Sequence, residues 1–320
     1  MRKWTIFTFS ILFLASCSAD DSTPKEDTQQ ETIENSEESN QPFLVETDEL
    51  TIEHVHGIGY NDENELLVAT HNGIKVYRDV SASWFETTKN LHDYMGFQVT
   101  KDGFYSSGHP NNDSSLKDPL GLIKADQYGE ELNLIKFHGE SDFHFLGASY
   151  SGQDVYIINE QANSSLNTGF YHSSDGGGDW NKPIMAGFDA DTYGMIAVHP
   201  SNGEMVALAT REGLFVSENA GDTFSKWTEG MITALAFSEE EIIYATVSDE
   251  GDIGLHSFNL SNKKSTPLPI PYLDYDNPIT YIAVSQQNPN QFSIVTYDPD
   301  ILQTTDRGEN WKPLIQDGKM

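Results

Sequence analysis

The sequence predicts an all-β protein built as a six-bladed β-propeller, and three observations lead there. One pattern recurs six times along the chain, at the roughly 40- to 50-residue spacing of four-stranded blades. Each copy holds a short strand, an apolar strand ending in small residues, a turn, and a third strand opened by glycine and an apolar or aromatic residue. The turn after the third strand carries a sharper pattern in three copies, and no segment shows the period of a long amphipathic helix. With 37% hydrophobic and 11% aromatic residues in 320, the chain can bury a sizeable core.

The second strands read ELLVAT (65–70), GFYSSG (103–108), DVYIIN (154–159), EMVALAT (204–210), EIIYAT (241–246) and QFSIVT (291–296). The third strands open at Gly73, Gly121, Gly169, Gly213 and Gly254, and without a glycine at Asp300. The copies span about 51–315, and residues 43–50 are too few for a seventh blade.

Two turns after the third strand match S/T-x-D-x-G-x-x-W: Ser173, Asp175, Gly177 and Trp180 in one, Thr304, Asp306, Gly308 and Trp311 in the other. A near-match has Ser217, Asn219, Gly221 and Phe224, and the first copy keeps only Asp79 and Trp84. Short polar side chains there bond backbone groups across the turn, glycine takes a positive φ, and the aromatic ring packs between blades. The pattern resembles the Asp box (BNR repeat) of sialidase-like and sortilin-like propellers. That resemblance implies a structural turn rather than an activity.

Ahead of the repeats, Arg2 and Lys3 are followed by an apolar run over 4–14 and by Leu14-Ala15-Ser16-Cys17. This is the order of a secretory signal peptide, with an apolar run short of the roughly 20 residues that cross a bilayer. The last four residues resemble a bacterial lipobox. The resemblance implies that Cys17 carries a diacylglyceryl group, becomes the mature N-terminus and anchors an extracytoplasmic protein to the bacterial cell membrane; the other reading is a secreted protein with an accidental cysteine. Residues 18–43 are polar and acidic, with nothing to offset the entropy of ordering them, and read as a disordered tether. The propeller domain then covers 44–320.

Eighteen basic side chains against 50 acidic ones give a net charge of −32. Such a surface repels phosphate backbones and anionic headgroups, which argues against nucleic acid and leaves the lipid anchor as the sole membrane contact. Cations, neutral ligands such as glycans, and extracytoplasmic proteins remain, with the chain expected to be a monomer. A single cysteine excludes a disulfide framework and a cysteine-based zinc cluster.

In a propeller the innermost strands start on the face to which the second-to-third strand turns return. Innermost-strand starts at 53–57, 93–96 and 142–144 place His54, His56, Asp93, Met95, Asp142 and His144 on that face, and the turns add His71 and His109. Aligned on the following apolar strand, His56, Met95 and His144 share one repeat position, and His54, Asp93 and Asp142 another. Five of the ten histidines therefore converge over three blades. Thr192, Thr233 and Thr280 stand near the equivalent positions of the other three, so the cluster is off-centre. Imidazoles with carboxylates suit zinc or copper, and the thioether of Met95 favours copper. Rim histidines satisfied by water are the plainer reading. The remaining histidines, His92, His138, His172, His199 and His256, are expected to be structural.

A sialidase clamps its substrate carboxylate with three arginines, and of Arg2, Arg78, Arg211 and Arg307 only Arg211 belongs to this face. Another glycoside hydrolase needs two carboxylates about 5 to 9.5 Å apart. Asp93 and Asp142 are the candidates near the axis, with Asp249, Glu250, Asp252 and Asp298 across the disc. The whole domain resembles a group of exported bacterial Asp-box proteins catalogued as glycosyl-hydrolase-like or sortilin-like without an assigned activity, through HVHG (54–57), ATHNG (69–73), SGHP (107–110) and DFH (142–144). A third class is a scaffold or assembly propeller, as in the photosystem assembly factors that share Asp boxes. The reading taken forward is a lipoprotein whose histidine-rich face binds a transition metal or a metal-bearing ligand.

Overall fold

The computed structural model describes residues 41–320; the expected signal peptide, Cys17 and most of the tether lie outside the described residues. Blade one contains β2 (Gly57–Tyr60), β3 (Leu66–Thr70), β4 (Gly73–Arg78) and β5 (Ser83–Thr87), with β1 (Leu44–Thr47) outside it. Blade two contains β6 (Asp93–Thr100), β7 (Gly103–His109), β8 (Leu122–Ala125) and β9 (Leu132–Lys136). Blade three contains β10 (Leu146–Ala148), β11 (Val155–Asn159) and β12 (Gly169–Ser173); blade four contains β13 (Ile196–Val198), β14 (Val206–Ala209), β15 (Gly213–Ser217) and β16 (Ser225–Glu229). Blade five contains β17 (Met231–Phe237), β18 (Glu241–Val247), β19 (Ile253–Asn259) and β20 (Lys264–Leu268), and blade six β21 (Ile279–Val284), β22 (Phe292–Thr296), β23 (Ile301–Thr304) and β24 (Lys312–Ile315). All six sheets are antiparallel meanders, and the innermost strands β2, β6, β10, β13, β17 and β21 neighbour one another in a closed ring. This is the six-bladed propeller the repeat predicts. Among the described residues no helix is long and apolar enough to cross a membrane.

The second strands are buried on both sides because alternate side chains face opposite blades. On β3, Leu66 and Val68 join Val295 and Ile301 of blade six, while Leu67 and Ala69 join Phe97 and Phe104 of blade two. The core is thus a ring of inter-blade layers. Burying a large apolar side chain in such a layer contributes about 1.5–3 kcal/mol. Where the innermost strands converge, Ile58, Val99, Ala148, Ile196, Ala236 and Ile282 narrow the axial channel to a cavity of about 90 Å³. Gly147 there has Ile196 so near that a Cβ would fall 2.6 Å from its Cγ2.

Residues 43–50 form no seventh blade. Instead β1 pairs with β5, Leu44 opposite Thr87 and Thr47 opposite Trp84, and covers an outer edge that would otherwise expose unpaired backbone groups. Blade three also departs from the four-strand expectation. Its fourth strand shrinks to one bridge, where the His172 and Asn181 N–H groups donate to each other's carbonyls at 2.9 and 2.8 Å. Among the described residues, no blade takes strands from both ends of the chain. Blade six meets blade one through side chains: the Tyr60 hydroxyl is 2.7 Å from Ser293 Oγ, and the Gln303 amide donates to Tyr60 and to Asp79. The tail completes the joint, Ile52 N–H donating to the Gly318 carbonyl at 2.7 Å.

The three patterned turns share one hydrogen-bond scheme. Gly177, Gly221 and Gly308 donate their N–H groups to the hydroxyls of Ser173, Ser217 and Thr304 at 2.8–2.9 Å. Those hydroxyls donate to Asp175, Asn219 and Asp306, whose oxygens accept from the N–H groups of Asp179, Thr223 and Asn310. Trp180 packs beside Phe137 of the preceding blade, Phe224 beside Phe170, and the Trp311 indole donates to the Pro269 carbonyl.

Candidate metal centre

The antiparallel registers Gly57↔Ala69 and Thr70↔Gly73 bring the entry to β2 and the β3–β4 turn to one end of blade one. Thr70 shapes that turn: its hydroxyl donates to the Gly73 carbonyl and accepts from the Asn72 N–H. Gly73, at a φ of +75°, donates its own N–H to the His92 carbonyl at 3.0 Å. That bond ties the turn to the entry of blade two and sets His71 beside Asp93.

His71 Nδ1 lies 2.9 Å from Asp93 Oδ2 and 3.1 Å from His56 Nε2, and His56 Nε2 is 3.3 Å from Asp93 Oδ1. Donor atoms of His56, His71 and Asp93 all fall within 4.8 Å of one another. His54 stands at the edge of this set, its ring centroid 5.4 Å from that of His71. Burial lowers the His56 pKa to about 4; Asp93 opposes the shift, and the His71, His54 and His144 imidazoles add to it. A neutral imidazole is the form that ligates a metal.

The other expected residues form a second, looser group. His109 is cross-strand from Asp93, with Nδ1 2.6 Å from Asp118 Oδ1 and Nε2 3.4 Å from Asp142 Oδ2. His144 Nδ1 approaches the same Asp142 oxygen at 3.3 Å and Glu160 at 4.0 Å. Hydrogen bonding to Asp118 raises the His109 pKa, against burial and with help from Asp142 and Asp93. Oδ1 of Asp93 and Oδ1 of Asp142 are buried without a hydrogen-bond partner. A buried carboxylate oxygen left unpaired is costly, and a cation would relieve it.

Met95 is half-buried on β6, paired with Ser107. The compact donor set is His56, His71 and Asp93, and Met95 shares strand β6 with Asp93. The strict repeat equivalence of His54 with Asp93 fails. A register shift between Met95 and Gln98 displaces the start of β6, so that Asp93 faces His109. Strands β2 and β10 begin only at Gly57 and Leu146, leaving His54, His56, Asp142 and His144 in the segments entering them. Thr192 bonds Glu212 and Thr280 the Val295 carbonyl, while the Thr233 hydroxyl is buried without a partner.

No protein-family profile matches the chain, and no curated protein matches it. Among solved structures it is similar to a GH74 enzyme of Niastella koreensis, at 13% identity over 85% of this chain and 47% of that one, with a TM-score of 0.55. It is also similar to the GH74 xyloglucanase of Xanthomonas campestris (15% identity, 84% and 46% covered, TM-score 0.52) and to a chain of the nidogen–laminin complex (11%, 75% and 88%, 0.54). The likeness shows a propeller fold and nothing finer. The chain spans about half the length of the two GH74 enzymes.

Two features of this face escape the sequence reading. Asp118, which holds His109, belongs to the loop between β7 and β8 (110–121), the longest of the second-to-third strand connections. Tyr272, Tyr275 and Tyr297 are exposed in the blade-six approach and its β22–β23 turn, the same face by topology. Of the remaining histidines, His92 accepts from the Asn111 N–H, His138 from the Lys117 N–H and His199 from the Ser201 and Asn202 N–H groups, His172 contacts Asp154, and His256 stacks on Tyr244.

Proposed function

We propose that this chain is an extracytoplasmic, lipid-anchored propeller that binds a divalent transition metal through His56, His71 and Asp93. The observation carrying this reading is the convergence of three donors from separate segments, two imidazoles and a carboxylate, within 4.8 Å of one another. Two nitrogens and an oxygen are a donor set suited to zinc, with a coordination position left for water or a ligand. The net charge of −32 raises the cation concentration near the surface. Elemental analysis of the tag-free full chain is expected to find zinc, and the variant His56→Ala/His71→Ala to lose it. Metal content unchanged in that variant would overturn the reading. The anchor rests on Leu14-Ala15-Ser16-Cys17, and Cys17→Ser is expected to move the protein from the membrane fraction to the soluble one.

A glycoside hydrolase is the second reading, favoured by the buried unpartnered oxygens of Asp93 and Asp142 on one face. Cleavage of xyloglucan or another extracellular glycan, abolished by Asp142→Asn, would establish it in place of simple binding.

A further inference from the structure

The contact between His71 and Asp93 has a counterpart one blade on. His71 follows the second strand of blade one and meets the aspartate entering blade two; His109 ends the second strand of blade two and meets Asp142, entering blade three. The anchoring differs but the result is the same. The Phe143 N–H donates to the Ser107 hydroxyl at 2.9 Å, holding Asp142 beside His109 as the Gly73–His92 bond holds Asp93 beside His71.

From this we infer a second metal site, formed by His109 Nε2, His144 Nδ1 and Asp142, neighbouring the first and resting on the same metal-binding reading. Both nitrogens approach Asp142 Oδ2, at 3.4 and 3.3 Å, while Asp142 Oδ1 is buried and unpartnered. A proton on one imidazole satisfies a single oxygen of that carboxylate. A divalent ion between the two imidazoles and the carboxylate satisfies the whole group. Asp118 completes the arrangement from behind: accepting a hydrogen bond from His109 Nδ1–H at 2.6 Å, it fixes the tautomer that leaves Nε2 as the lone-pair donor. A carboxylate, backbone carbonyl or water plays this part behind almost every metal-ligating histidine. Glu160, 4.0 Å from His144, is a further anionic neighbour. The cross-strand pairing of Asp93 with His109 makes the two sites adjacent rungs of one seam, which predicts that ions of like charge bind with unequal affinity.

The test is zinc titration of the full, tag-free chain by calorimetry, with bound zinc measured after buffer exchange. Two equivalents are expected. His144→Ala and Asp118→Asn act on the second site, the first removing one equivalent and the second weakening it about 10-fold or more. His71→Ala removes the other equivalent. His109, His144 and Asp118 are all substantially exposed, so these variants are expected to stay folded, which circular dichroism melts check. One equivalent that survives His144→Ala and is lost in His71→Ala overturns the second site while leaving the first. One equivalent lost in either variant means a single shared ion and also overturns it. No bound zinc overturns both.

Discussion

Gly59 on β2 faces Val99 on β6 so closely that a Cβ on the glycine would lie 2.4 Å from Val99 Cγ2. Gly57 stands in the same relation to Phe97, with 2.8 Å to its Cβ. The close approach of blades one and two, and with it the meeting of His56 and His71 with Asp93, depends on these two missing side chains. Gly59→Ala is expected to cost about 1–3 kcal/mol through overpacking. Urea denaturation measures the loss, and Gly59→Ala/Val99→Ala is expected to recover most of it. Zinc affinity should fall in the single variant and return in the double one.

The turn at Asp175 allows a graded test. Its carboxyl is held below the usual range, chiefly by the Asp179 N–H and then by the Ser173 hydroxyl. Asn219 fills the same position in blade four with a neutral carbonyl oxygen accepting from Thr223. Asp175→Asn is therefore expected to cost little, and Asp175→Ala about 1 kcal/mol from the unpaired backbone donor and freed hydroxyl. Equal losses in the two variants would mean that charge, not turn geometry, matters there.

Between blades five and six, both Arg307 Nη groups donate to the Glu241 carboxylate, the second at 2.9 Å. Burial would raise the Glu241 pKa, but Arg307 and the Ser257 hydroxyl outweigh it and hold the group below its ordinary value. Arg307→Ala leaves the carboxylate buried without its partner and is expected to cost about 2–3 kcal/mol. Arg307→Leu/Glu241→Met should cost less than Arg307→Ala alone. Thermal denaturation of the variants decides it.

Burial holds the His256 imidazole below its ordinary pKa of 6.5. The unfolded chain takes up a proton near pH 6.5 that the folded chain refuses until lower pH. The unfolded state thus binds more protons in this window, so stability is complete above pH 6.5 and declines as pH falls below it. Urea midpoints at pH 7.5 and 5.5 are expected to differ less in His256→Gln than in the parent. The carboxyls of Asp175 and Glu241 act with the same sign but only nearer pH 4, since their folded values are depressed.

The blades were legible because Gly73, Gly121, Gly169 and Gly213 mark third strands and because alternate apolar residues of the second strands must each find a neighbouring blade. The shared face of the five histidines followed from the same repeat. Their division into two groups did not. It depends on the β-bulge after Met95, which shifts Asp93 by a rung and whose one local mark is Gly96 at a φ of +56°, and on a backbone bond from Gly73 to His92, which has no residue pattern. Asp118 was invisible for a different reason: it arrives from a long loop (110–121) whose sequence does not follow the repeat. The shortened fourth strand of blade three is in a segment broken by Pro183 and Gly187, where Gly187 takes a φ of +83°.

Because every blade is cut from one continuous stretch of chain, the ring is a split washer, with its cut between blades six and one. No backbone ladder crosses that cut between the blades; the apolar layer of Leu66 and Val68 against Val295 and Ile301, side-chain bonds such as Tyr60–Ser293 and Gln303–Asp79, and the pairing of the tail to residues 50–52 hold it shut. Blade one is the lip of the washer: the cut runs along one of its sides and the His71–Asp93 seam along the other. Any opening at the cut would tilt that lip against blade two. An ion held by His56, His71 and Asp93 together would act as a rivet beside the gap, passing strain from the lip into the rest of the ring.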